Sequence, residues 1–113
     1  VAYNKKTLIL VSGLLFLVAG WANSAWSAEA KAGKAIYDKS CAGCHGADGK
    51  GNPAMAKVLG EKGLNLTTKE VVKMSDEKAL KIIAEGAGKM PAQKSLSKDD
   101  QKNVLGYMRS LSK

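Results

Sequence analysis

Two thiols and an imidazole stand within five consecutive residues, Cys41-Ala42-Gly43-Cys44-His45, and the chain holds no other cysteine or histidine. The C-x-x-C-H spacing is the signature of c-type haem attachment. Two thiols about one helical turn apart can each add to a vinyl group on one edge of a porphyrin, and the adjacent imidazole is carried under the iron. Three other chemistries use the same residue types. A single structural disulfide would suit an oxidising compartment. A thioredoxin-like dithiol calls for a βαβ context that the sequence does not offer, and half a zinc site lacks a second Cys/His pair. The motif occurs once, so the expectation is one covalently bound haem c, with Cys41 and Cys44 as attachment points and His45 as proximal iron ligand.

The elements that must position these residues belong to a short, basic chain: 113 residues, 45% hydrophobic, Lys+Arg 18 against Asp+Glu 10. One small domain is all this length allows. Its first thirty residues read as an address. Lys5 and Lys6 precede an apolar run from Leu8 to Gly20, and Ala/Ser-rich sequence follows to Ala30, the three regions of a secretory signal. Small residues permit cleavage after Ala22, Ser27 or Ala30; the alternative is a retained anchor, for which the run is short against the roughly 20 residues of a bilayer span. Residues 31–113 then form the domain, with Tyr37 and Tyr107 as its only aromatics. A core so poor in large side chains is expected to be completed by a cofactor.

Helical signals dominate that domain. Lys31 to Ser40 reads as a short helix leading into the cysteine motif. Five glycines (Gly46, Gly49, Gly51, Gly60, Gly63) and Pro53 make the following stretch a loop around one short helix near Ala54 to Leu59. Thr67 with Glu70 suggests a capping box for a helix through Met74, Ser75 starts another that Gly86 ends, and Ser97 starts the last. Val104, Tyr107, Met108 and Leu111 form the apolar stripe of that last helix. No run of strands is expected.

In this order, Cys41-Ala42-Gly43-Cys44-His45, Gly88-Lys89-Met90-Pro91-Ala92 and Leu105-Gly106-Tyr107-Met108-Arg109-Ser110-Leu111 make the sequence resemble a small class I monohaem cytochrome c over Lys31 to Lys113. The resemblance implies an all-α cytochrome c fold of about four short helices wrapped around the haem. It implies that the terminal helices cross at Gly33 and Tyr37 against Val104 and Tyr107. It assigns Met90 as distal iron ligand, on a glycine-rich loop stiffened by Pro91, and the carbonyl of Pro53 as hydrogen-bond partner of His45. Leu59, Leu64, Leu66, Leu80, Ile83 and Leu96 become candidate haem-facing aliphatics. One departure stands out: no tryptophan follows Trp26, so no indole can hold a haem propionate.

An iron with both axial positions filled by protein is left with outer-sphere electron exchange. The expected function is therefore not enzymatic but that of a periplasmic one-electron carrier between respiratory or photosynthetic redox partners, monomeric and without nucleic-acid contact. Without residues 1–30 the chain keeps 16 basic and 9 acidic residues, or +7, which would steer it to acidic docking surfaces. Lys39, Lys50, Lys57, Lys89 and Lys94 are candidates for the docking rim; membrane contact is allowed but not required. The alternatives are a haem enzyme or gas or redox sensor with an open distal site, and a membrane-tethered subunit of a larger oxidoreductase.

Overall fold

Four helices of the computed structural model, which describes residues 22–113, begin on a side-chain cap written in the sequence. The charged start and the apolar run, within residues 1–21, lie outside the described residues. The elements are α1 (Ala22–Ser40), α2 (Ala42–His45), α3 (Pro53–Leu59), α4 (Lys69–Lys73), α5 (Asp76–Glu85) and α6 (Lys98–Ser110). The fold is all-α: among the described residues the sole β feature is an isolated bridge between Ala87 and Met90. Of these, α2 is not among the expected helices, and it and the expected α4 are little more than single turns.

Ser75 accepts a hydrogen bond from the Lys78 N–H (3.2 Å) and starts α5, whose first turn carries Asp76 and Glu77 at the positive end of the helix dipole. Gly86 ends it at φ +79°, a conformation that costs other L-residues about 1–2 kcal/mol. Ser97 and Asp100 form a reciprocal capping box at α6. At α4 the cap is Thr68, not Thr67; the Thr67 hydroxyl is turned to Asn65 Oδ1, 2.7 Å away, which displaces the helix start by one residue. α1 extends nine residues upstream of the expected start and runs continuously through Ala30.

The core sits where α1 crosses α6. Tyr37 and Val104 are fully buried, and the rings of Tyr37 and Tyr107 lie 5.3 Å apart and tilted by 58°, an arrangement aromatic pairs favour. Gly33 makes the crossing possible, because a Cβ there would stand 2.8 Å from the Asn103 carbonyl carbon and 3.1 Å from Tyr107 Cβ. The expected crossing residues are those observed. Leu66, Ala79, Ile83 and Leu105 complete the buried cluster, with Leu80 and Leu96 packed against it.

Arg109, the one arginine beside 17 lysines, closes the far side of the fold. Its guanidinium donates to the carbonyls of Val71 (2.9 Å), Val72 (3.2 Å) and Met74, and reaches Asp76 Oδ1 at 3.0 Å. These carbonyls end α4, where Val71 O also accepts the Met74 N–H (3.1 Å) and the others have no backbone donor, so a planar five-donor group suits them better than an ammonium.

Candidate haem attachment site

Four residues are too few for a helix to sustain itself, so α2 must be held from outside. Within it, His45 N–H and Gly46 N–H donate to the carbonyls of Cys41 (3.0 Å) and Ala42 (2.8 Å). The next four carbonyls, which have no helical partner, are all taken by other donors. Gly43 O accepts from Asn52 Nδ2 (3.0 Å), Cys44 O from Asn52 N–H (2.9 Å) and His45 O from Gly51 N–H (2.7 Å). Gly46 O accepts from the Tyr37 hydroxyl at 2.6 Å and from Gly49 N–H at 3.2 Å. Residues 49–52 thus fold back beneath the turn.

His45 is the one buried polar side chain among the described residues, 8% exposed. Its Nδ1 lies 2.9 Å from the Leu64 carbonyl. A carbonyl can only accept, so Nδ1 carries the proton and Nε2 keeps its lone pair for a metal. The partner expected from the sequence, Pro53, is not at this position. It is the first residue of α3, where its missing N–H costs nothing, and the chain must run on to Leu64 before a carbonyl returns to the imidazole.

Cys41 and Cys44 are free, half-buried thiols and not a disulfide. Burial, and then the neighbouring Cys44, raise the Cys41 thiol above its ordinary value, which favours the protonated form. The Tyr37 phenol is likewise pushed up to about 12, first by burial and then by Cys41. Two unpaired thiols on one short helix, followed by an oriented imidazole with a free lone pair, fit the donor set that haem c requires. They do not fit zinc, since no cluster of three or more His, Cys, Asp or Glu side chains among the described residues is arranged to hold a metal.

Met90 is half-buried, in a tight turn from Ala87 to Met90. The turn is closed by two bonds, Ala87 N–H to Met90 O (3.1 Å) and Met90 N–H to Ala87 O (2.9 Å), and anchored to α5 by Gln93 N–H on Ile83 O (2.9 Å). Lys89 Nζ donates to Leu59 O, at the end of α3, across 3.1 Å. Of the candidate haem-facing aliphatics, Leu64, Leu66 and Ile83 are buried and Leu59, Leu80 and Leu96 partly so. The five rim candidates, Lys39, Lys50, Lys57, Lys89 and Lys94, are all exposed.

Sequence reasoning missed the Leu64 carbonyl as partner of His45, Asn52 and the hydroxyl of Tyr37. Only Asn52 left a signal: an Asn-Pro pair ahead of an apolar run marks an N-cap with proline at the first helical position.

Residues 28–108 match the profile of a family described as cytochrome c oxidase, cbb3-type, subunit III. Cytochrome c-554(547) of Halothiobacillus neapolitanus is 34% identical over 90 residues, covering 74% of this chain and 97% of the relative. Cytochrome c6 of Leptolyngbya boryana is 36% identical over 74 residues, covering 66% of this chain and 81% of the relative.

Proposed function

The chain belongs to the c-type cytochrome family, an electron carrier on covalently attached haem c and not an enzyme, and we propose that it is a periplasmic one-electron shuttle whose iron sits between His45 and Met90. The observation that carries the reading is the oriented His45 imidazole, held at Nδ1 by Leu64 directly behind two free thiols. The haem, when bound, supplies a one-electron ferrous/ferric couple.

The protein's own residues do the rest. Cys41 and Cys44 would hold the porphyrin edge at α2 through thioether links, each S–H adding across one vinyl group, sulfur to one carbon and hydrogen to the other. The Leu64 carbonyl keeps His45 in one tautomer and makes Nε2 a better donor. A thioether from Met90 stabilises the reduced iron and raises the potential relative to a second imidazole. With both His45 and Met90 holding the iron, small molecules would be kept off it, which leaves electron exchange with redox partners.

The net charge of +8 and the exposed lysines near the haem motifs support docking on acidic partner surfaces. Such docking weakens with salt, so electron transfer to the partner should slow as ionic strength rises. Lys5-Lys6, the apolar run and the small residues after it support export. No helix among the described residues is long and apolar enough to cross a membrane.

The deciding experiment is the absorption spectrum of the ferrous, haem-loaded protein before and after carbon monoxide. An unchanged low-spin spectrum is expected. Rapid formation of a carbonyl adduct would overturn the Met90 assignment. The mass of the protein isolated from its host tests export: loss of the first 22 to 30 residues is expected.

A further inference from the structure

We propose that Asn52 is a positioning residue for the proximal iron ligand, pinning the Gly43 and Cys44 peptides of the attachment turn to the start of α3. The inference rests on His45 being that ligand. Besides the helix bond that its carbonyl accepts from Ala56 N–H (2.9 Å), three bonds converge on this one residue. Its backbone N–H donates to Cys44 O (2.9 Å), its Nδ2 to Gly43 O (3.0 Å), and its Oδ1 accepts from Ala54 N–H (2.9 Å). The orientation of the carboxamide is fixed by its neighbours, since the carbonyl needs a donor and the amide an acceptor.

The residue type is therefore specified. Aspartate keeps the helix cap but loses the donor; serine keeps the cap but cannot reach Gly43. Gly43 lies between the two thiols and Cys44 directly precedes His45, so holding these two peptide planes sets how the sulfurs and the imidazole are disposed to one another. An ordinary N-cap would need only the bond to Ala54. The bonds to Gly43 and Cys44 run instead to the segment whose carbonyls have no helical partners of their own.

The test uses the full, haem-loaded ferric protein and the paramagnetically shifted proton NMR lines of the haem methyls and the His45 ring, which report the orientation of the imidazole plane. Asn52→Asp and Asn52→Ser both keep a good cap on α3, so the fold survives, and Ser75→Ala removes a cap from α5 as a control for stability alone. The expected result is a moved pattern of shifted lines in both Asn52 variants, with Ser75→Ala giving the wild-type pattern at lower thermal stability. Wild-type patterns in both Asn52 variants would overturn the inference and leave the His45 assignment standing. Absence of shifted His45 ring lines in the unaltered protein would instead overturn the ligand assignment, and the inference with it.

Discussion

The two walls that carry the proposed iron ligands are built in different ways. The His45 wall is made within a dozen residues, Cys41 to Asn52, and the four carbonyls from Gly43 to Gly46 are all engaged by the loop that follows or by Tyr37. The Met90 wall is an exposed turn closed by a two-bond bridge and tied down at Gln93 and Lys89. At the first, every free carbonyl of the turn has a donor; the second is closed by its own two bonds and held from outside at two points. Under the proposed ligation, exchange of a ligand is expected on the Met90 side.

The contrast can be broken outright by removing both thiols. Cys41→Ala with Cys44→Ala should lose all covalent haem, read as the absence of haem on the denatured chain. Met90→Ala should keep the haem attached and turn the ferrous protein into a carbon monoxide binder, with little change at the His45 wall. Gly86→Ala sharpens the comparison without touching a ligand: at φ +79° its Cβ would stand 2.6 Å from Met90 O and 2.9 Å from Ala92 N. It should lower stability by about 2 kcal/mol through the left-handed backbone and the clash, and carbon monoxide uptake should rise because the Met90 turn is displaced.

Tyr37→Phe probes the His45 wall more gently, costing about 1 kcal/mol for the lost hydrogen bond to Gly46 in a denaturant titration. It should also change the alkaline limb of stability. The phenol moves from its ordinary value of 10 up to about 12 in the folded chain, so the stabilisation it brings is complete below pH 10 and is lost as pH rises toward 12. The phenylalanine variant should lack that component. The smallest spectral effect belongs to Ser97→Ala, which removes one half of the α6 capping box, seven residues beyond Met90. A loss of about 1 kcal/mol with an unchanged spectrum is expected.

Local chemistry was legible in the sequence; long-range hydrogen bonding was not. Ser75, Gly86 and Ser97 act within four residues of themselves, and each ends or starts the helix it was read to. Gly33, Tyr37, Val104 and Tyr107 were legible as a crossing because the resemblance supplied the pairing and the residue sizes allow it. The partner of His45 was not, because any backbone carbonyl can accept a hydrogen bond and 19 residues separate it from Leu64. Thr67 was misread as a cap because Asn65 offers its hydroxyl a nearer acceptor. Arg109 had no local signal either: the carbonyls it holds lie 35 to 38 residues away.

α3 joins the two walls. Asn52 fastens its first turn to the attachment segment, and Lys89, on the Met90 turn, fastens to the carbonyl of Leu59 at its end. A seven-residue helix is about 10 Å long, so the tie is a short, stiff strut. Under the proposed ligation by His45 and Met90, a displacement at one ligand would reach the other through a seven-residue helix with no buried side chain.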